Sequence, residues 1–174
     1  MMQLISNEYR KLCEDMHDAA PWGTKGYRYI EEFLPYCRKL GCTNILDYGC
    51  GRGTIKQHLA ELYPEIDVVG YDPGIIEYAD LPTAMQFVVC TDVMEHVEEQ
   101  FVPATLAKIC ELTQVGAYFC IALTKAKRNL PDGRNAHITL KSGEWWVREI
   151  NRLPWSVVRQ NIGKKSLRLW LRKV

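Results

Sequence analysis

With 174 residues and a mass of 20.1 kDa, the chain suits one domain around one core and leaves little room for a second. Its 47% hydrophobic and 25% charged residues, with 12 Gly and 8 Pro, exclude disorder, collagen-like repeats and coiled coil as the architecture. The formal net charge of +1 hides two unlike parts: residues 1–124 carry 9 Lys and Arg against 18 Asp and Glu, residues 125–174 carry 13 against 3.

The basic stretch 125–174, with no acid after Glu149, suits an anionic partner such as nucleic acid, or simply forms a solvated face. No apolar run is long enough to span a bilayer, and the opening MMQLISNEYRKL lacks the basic-then-apolar pattern of a signal peptide, so no membrane partner is expected. The 7 cysteines form no C-x-x-C pair, and several lie in apolar runs such as FVVC and AYFCIAL. Free thiols in a reducing cytoplasm are expected, without a disulfide scaffold or cysteine-rich zinc site.

Tyr9, Leu12, Cys13 and Met16 recur at helical spacing, which predicts an amphipathic helix over 7–18. AAPWGTKG breaks it. Ile30, Phe33, Leu34 and Cys37 mark a second helix that ends near Gly41 and is kinked at Pro35. NILDY (44–48) reads as a short buried strand running into GCGRGT, and 54–63 as a helix stopped before Pro64. IDVVGYD (66–72) and FVVCTD (87–92) are the next strands. Residues 98–112 read as a helix with Pro103 in its first turn, 116–124 as a buried strand, and 140–151 as a helix capped by Ser142. SVVRQNI and SLRLWLRKV flank Gly163, Lys164 and Lys165 as a closing hairpin. Strands alternating with helices predict an α/β fold: an open, Rossmann-like sheet, mostly parallel, with an antiparallel C-terminal hairpin.

The most informative segment is Ile45-Leu46-Asp47-Tyr48-Gly49-Cys50-Gly51-Arg52-Gly53-Thr54. A strand that ends in clustered glycines and opens a helix builds a concave site where backbone N–H groups face a ligand. The spacing is G-x-G-x-G, not the G-x-G-x-x-G of dinucleotide folds, and Asp47 stands where a pyrophosphate would lie, which disfavours a nicotinamide oxidoreductase. A ligand with a cationic amine suits that site better. Asp72 ends the next strand, one helix and one strand beyond Gly53, and is placed to accept both hydroxyls of a ribose.

LDYGCGRG, then VVGYDP, then VVCTDVMEHV resemble the class I S-adenosylmethionine-dependent methyltransferases over residues 44 to about 124. The short length and the later run LPDGRNAH…EWW are similar to small bacterial or phage-type members. The resemblance implies S-adenosylmethionine as cofactor, its methionine part held by Asp47, Gly49, Cys50, Gly51 and Gly53. It implies a ribose site at Asp72 between Tyr71 and Pro73, with Cys90, Thr91 and Asp92 flanking the adenine side and the active-site floor. N-terminal helices often lid the cofactor in this fold, so Trp22 either covers it or anchors the lid to the core. One methyltransferase domain over 1–174 is expected: a helical lid (1–42), a cofactor-binding core (43–124) and an acceptor-side loop, helix and hairpin (125–174). Only the short segment 73–86 separates the second strand from FVVCTD, so the family's third strand is reduced or missing. Tyr78, Asp80 or Leu81 then replaces the acid usual near adenine.

Asp92, Glu95 and His96 fall at i, i+3 and i+4, so on a helical turn they share one face. In one reading Asp92 or His96, with His137 from the RNAH loop, positions or deprotonates the acceptor. In another, Asp92, Glu95, His96 and His137 hold a divalent metal, Mg or Mn, that polarises an acceptor hydroxyl. This D-x-x-E-H is similar to the E-x-x-E-H of metal-binding small-RNA 3′-terminal 2′-O-methyltransferases and of ubiquinone-pathway O-methyltransferases. Arg128, Asp132, Arg134 and Asn135 lie in a loop expected to rim the acceptor mouth, where Arg128 and Arg134 suit a phosphate or carboxylate. Trp145, Trp146, Trp155 and Trp170 read as core or hairpin packing, and His17 and His58 as surface residues.

The expected function is methyl transfer from S-adenosylmethionine to an O or N of a small or nucleotide-like acceptor. The alternatives are a metal-dependent RNA ribose 2′-O-methyltransferase and a non-catalytic S-adenosylmethionine-binding partner or sensor subunit. The strand ends in TDVMEH, not in the Pro-Pro-aromatic loop of base-amino methyltransferases, which argues against the DNA-adenine type.

Overall fold

Two-residue periodicity in the apolar runs decides which way each strand faces, and the sheet follows from it. The computed structural model describes residues 3–19 and 23–174, the side chains of 18 and 19 excepted. Six strands, β1 (Asn44–Tyr48), β2 (Asp67–Tyr71), β3 (Met85–Thr91), β4 (Thr113–Ala122), β5 (Trp155–Ile162) and β6 (Ser166–Lys173), form one sheet in the order β2-β1-β3-β4-β6-β5. The first four are parallel, and β6 runs antiparallel to both β4 and β5. The helices are α1 (Asn7–Ala19), α2 (Ile30–Lys39), α3 (Thr54–Leu62), α4 (Val102–Leu112) and α5 (Gly143–Ile150).

Along β3 and β4 the side chains alternate between two cores. Phe87, Val89, Tyr118 and Cys120 pack with Phe33 and Leu34 of α2 and Ile55 and Leu59 of α3. Val88, Cys90, Phe119 and Ile121 pack on the other face with Leu106 and Ile109 of α4 and Trp146 and Ile150 of α5. Each fully buried large side chain contributes about 1.5–3 kcal/mol, so this double-faced core carries the fold. Because β1 pairs with β2 on one side and β3 on the other, the chain reverses its winding there. A crevice opens at the carboxyl ends of β1 and β3 at such a switch point.

Several elements differ in detail from their sequence reading. Residues 99–101 form a separate tight turn, and α4 starts at Val102, with Pro103 in its first turn. The last helix is shorter than 140–151, since Ser142 caps it by accepting from the Trp145 amide. Pro35 lies inside an α2 that runs on to Lys39. Between β2 and β3 there is one short turn, Ile76–Tyr78, and no strand, so the third strand is absent and β2 forms the edge. Trp146, Trp155 and Trp170 are buried, and Trp145 packs partly buried against Trp146. All 7 cysteines are free thiols.

Helix α1 is not part of the sheet layers. Its Tyr9 and Met16 bury against Leu130 and Ala136 of the loop that follows β4. Of the segment 1–42, then, α2 belongs to the sheet layer and α1 lies over the cavity described next. No described helix is long and apolar enough to cross a membrane.

Candidate functional site

Backbone geometry at the end of β1 explains the glycines. Gly49 has φ 78°, and a Cβ there would lie 2.2 Å from Val93. Gly51 has φ 52°, and a Cβ there would meet the Gly23 carbonyl oxygen at 2.5 Å. The space that sequence reasoning reserved for a ligand at Gly51 is thus taken by the backbone leading into α2, and the Arg52 amide donates to the same Gly23 oxygen at 3.0 Å. The Arg52 guanidinium also donates to the His17 carbonyl at the end of α1. Gly51→Ala is expected to lower stability by about 1–3 kcal/mol, through left-handed strain and the displaced Gly23. Thermal unfolding checks this, and an unchanged melting temperature would contradict it.

The Gly49 and Cys50 amides both donate to the Tyr71 carbonyl at 2.7 and 3.0 Å, which pins the loop to the end of β2. Asp72 closes it from the side: Oδ2 accepts from the Gly51 amide at 2.9 Å and Oδ1 from the Gly74 amide at 3.0 Å. Each oxygen keeps one further lone pair for a ligand. Asp47 sits beneath, only 3% exposed. Its carboxylate takes no hydrogen bond from any described residue, and burial, reinforced by Asp72, pushes its pKa up to about 7.

From this loop a cavity of about 920 Å³ runs under α1 to the loop after β4. Of the site residues read from sequence, Asp47, Gly49, Cys50, Gly51, Tyr71, Asp72, Pro73, Thr91, Asp92, His96 and His137 all line it. Gly53 does not: it caps the start of α3 with φ 67° under the Tyr78 hydroxyl. Trp22 lies outside the described residues. Tyr78, Asp80 and Leu81 are not in the lining; Tyr78 instead packs over Gly53 and Gly70. His17, expected on the surface, is buried and lines the cavity, whereas His58 stacks on Tyr27 at 4.5 Å.

The D-x-x-E-H segment does not form one helical face. Residues 94–96 make a single tight turn, and Asp92 precedes it at φ 54°, the only non-glycine with positive φ among the described residues. A short polar side chain tolerates this conformation best. The turned backbone sends the three side chains apart. Asp92 Oδ2 accepts from the Tyr29 hydroxyl at 2.7 Å, and desolvation raises its pKa despite that bond. Glu95 points into the protein: Oε1 accepts from the Ala122 amide at 3.0 Å, while Oε2 has no hydrogen-bond partner among the described residues.

His96 and His137 meet edge to face with ring centroids 4.8 Å apart. The His96 Nδ1–H donates to the Ala136 carbonyl at 2.7 Å, and the His137 Nδ1–H to the Thr124 carbonyl at 2.5 Å. A carbonyl can only accept, so each neutral ring carries its proton on Nδ1 and its lone pair on Nε2. Burial and the neighbouring His137 hold His96 down at about 4, neutral at physiological pH.

Glu95 completes this cluster, with Oε1 4.0 Å from the His137 Nε2. Burial, with Asp92 adding to it, pushes the Glu95 carboxyl up to about 8. The folded protein therefore keeps a proton that the unfolded chain loses near the ordinary glutamate value. Stability is expected to fall as pH rises from about 4.5 to 8. Glu95→Gln, which mimics the neutral acid, should flatten part of that decline in melts across the range; an equally steep decline would contradict the assignment.

For the four-residue metal site the structure is a correction. Glu95, His96 and His137 place ligand atoms within 4.8 Å of one another, but Asp92 is turned to Tyr29. The three that remain include Glu95, one of whose oxygens is bound to the Ala122 amide. The structure thus gathers three of the four residues that the spacing suggested and leaves Asp92 out. Arg134 is likewise withdrawn from the mouth by its pair with Asp132 at 2.6 Å, while Arg128 lines the cavity.

Sequence reasoning missed Tyr29, which meets Asp92 from 63 positions away. It also missed Tyr9 and Cys13 of α1, and Lys25, Lys125 and Lys165 at the mouth. Nothing local in the sequence marks Tyr29; only the packing of α2 on β4 brings it there.

No curated protein matches the chain by sequence. Among solved structures, the fold is similar to a Burkholderia thailandensis 1,6-didemethyltoxoflavin-N1-methyltransferase with its acceptor and S-adenosylhomocysteine bound. That likeness has a TM-score of 0.69 and 14% identity, over 100% of this chain and 93% of that one. It is similar also to the magnesium protoporphyrin IX methyltransferase of Synechocystis PCC 6803 with S-adenosylhomocysteine bound (TM-score 0.62, 14% identity, 100% and 89% covered). The mitomycin 7-O-methyltransferase matches with a TM-score of 0.66 at 13% identity, over 95% of this chain and 60% of that one. A family model described as a methyltransferase domain matches residues 6–172. The chain therefore belongs to the methyltransferase domain family, and with its open sheet and glycine loop it is a class I S-adenosylmethionine-dependent methyltransferase.

Proposed function

We propose that this protein transfers a methyl group from S-adenosylmethionine to an oxygen or nitrogen of a small acceptor, within one methyltransferase unit spanning 1–174. The observation that carries the reading is the continuity of one cavity from Asp47 and Asp72 to Asp92 and His137. The solved relatives' bound S-adenosylhomocysteine and their small N- and O-acceptors support it. The free thiols suit a reducing cytoplasm.

Asp47 supplies the fit for the cofactor: a buried carboxylate with no hydrogen bond from any described residue is stabilised by a ligand's ammonium group. The spare lone pairs of Asp72 take the ribose hydroxyls. When bound, S-adenosylmethionine supplies an electrophilic methyl carbon on a sulfonium. The chain's task is then to hold the acceptor in line with that methyl and to take its proton. The Nε2 lone pair of His137, fixed by the Thr124 carbonyl, is the base in this reading. Asp92, braced by Tyr29, orients the acceptor so that a lone pair of its O or N, and not its hydrogen, faces the methyl, and neutral His96 packs against His137 and steadies it.

Calorimetry with S-adenosylhomocysteine tests the reading, since absence of binding would sink it. Binding without methyl transfer to any acceptor would favour a sensor. No step passes through a metal, so treatment with EDTA is expected to leave the methyl-transfer rate unchanged. A loss of rate restored by Mg²⁺ or Mn²⁺ would contradict that.

A further inference from the structure

The cavity mouth gathers cations from three separate parts of the chain. Lys25 and Arg28 precede α2, Lys125, Lys127 and Arg128 follow β4, and Lys165 lies between β5 and β6; all six line the cavity and are exposed. None is in an ion pair among the described residues. The acids of the lining are engaged elsewhere: Asp72 on loop amides, Asp92 on Tyr29, Glu98 on the Ser6 amide, with Asp47 at the floor of the glycine loop.

The fold builds this arrangement firmly. Asn135 clamps the loop, its Oδ1 accepting from the Ala126 amide and its Nδ2 donating to the Ala126 carbonyl, both at 2.9 Å. The Ala136 amide donates to the Arg128 carbonyl at 3.1 Å, and the Leu123 amide to the Lys165 carbonyl at 2.9 Å. Like charges held together in this way repel one another, and an anion bound among them relieves the repulsion.

Elsewhere in the basic stretch 125–174 part of the charge is spent internally, while Arg148, Lys164 and Arg172 have no ion pair among the described residues. Arg134 pairs with Asp132, Lys141 with Glu99, Arg152 with Glu149 and Arg168 with Glu32. Lys125, Lys127, Arg128 and Lys165, by contrast, converge on a cavity, which suits a small ligand and not a polymer lying along an extended basic stripe.

We propose that the methyl acceptor is a small anion, its carboxylate or phosphate seated among Lys125, Lys127, Arg128 and Lys165. This rests on the methyl-transfer reading and adds its substrate class. The anionic end is held at the rim, and the O–H or N–H to be methylated reaches inward to His137. A cleft lined by one sign of charge also concentrates such a ligand at its mouth.

The test is calorimetry on the full-length protein saturated with S-adenosylhomocysteine. The titrants are 4-hydroxybenzoate, 4-hydroxyphenyl phosphate and the neutral 4-hydroxybenzamide. At least one anion is expected to bind about tenfold or more tightly than the amide, and the two anionic arms tell carboxylate from phosphate. The triple variant Lys125→Gln, Lys127→Gln, Arg128→Gln should bring that anion down to the level of the amide while leaving S-adenosylhomocysteine affinity unchanged. These positions are exposed, so the variant is expected to fold, and its melt checks that. The proposal is overturned if no anion binds more tightly than the amide, or if the triple variant keeps the preference. It is also overturned if a short single-stranded RNA displaces the anion at physiological salt. Failure of S-adenosylhomocysteine to bind would instead strike the methyl-transfer reading beneath it.

Discussion

Asp47→Asn is expected to weaken S-adenosylhomocysteine binding by about 30- to 1,000-fold, roughly the 2–4 kcal/mol typical of removing one partner from a buried charge pair. The sign of the pH dependence follows from the same residue. In the empty protein burial pushes Asp47 up to about 7, so at pH 6 it is mostly protonated and has no charge to offer an ammonium group. Binding then requires loss of that proton. Affinity should rise up to about tenfold per pH unit toward 7 and level off above it, until the ligand amine itself deprotonates. In Asp47→Asn the rise should vanish. The empty variant should also melt higher than the parent at pH 8, because the cost of an ionised, unpartnered carboxylate is removed. Calorimetry and melts at pH 5.5 to 8 check both. Equal affinity in the two proteins would remove Asp47 from the site.

His137→Gln is expected to slow methyl transfer by about 10²-fold or more, the range for loss of a positioned general base, with S-adenosylhomocysteine affinity unchanged. The ring is held by a single backbone bond to Thr124, and glutamine offers no comparable lone pair for the acceptor's proton. A fall in kcat with little change in KM marks loss of a group that acts on the reacting atoms. If KM rises instead with kcat intact, His137 only binds the acceptor, and Asp92 inherits the proton. Tyr29→Phe provides the contrast: it removes the hydroxyl from Asp92 and leaves His137 in place.

The parts of this molecule set by local pattern were legible in the sequence. NILDY announced a buried strand and FVVCTD a strand, because their apolar residues can face a core on either side of the sheet. G-x-G-x-G announced a turn because left-handed backbone at Gly49 and Gly51 admits little else. The absent third strand followed from the segment 73–86, too short to hold the missing elements. What was not legible depends on one backbone angle or on distant packing. Asp92 at φ 54° turns the D-x-x-E-H spacing out of helical phase, so an i, i+3, i+4 pattern no longer implies a shared face. Tyr29 reaches Asp92, and Lys25 reaches the mouth, only because α2 lies across the sheet. His17 is buried because α1 closes on the glycine loop, a tertiary contact that its neighbours in sequence do not encode.

Helix α1 joins two unlike parts of the site. Its far end is tied to the cofactor loop through Arg52 and the His17 carbonyl, and its apolar face rests on Leu130 and Ala136 of the acceptor loop. That small apolar cluster is separate from the two cores that hold the sheet, so freeing the helix costs much less than unfolding the domain. Because Tyr9, Cys13 and His17 line the cavity, freeing the helix would uncover both halves together. Were it to lift, spent cofactor and methylated product would share one exit, with the sheet beneath undisturbed.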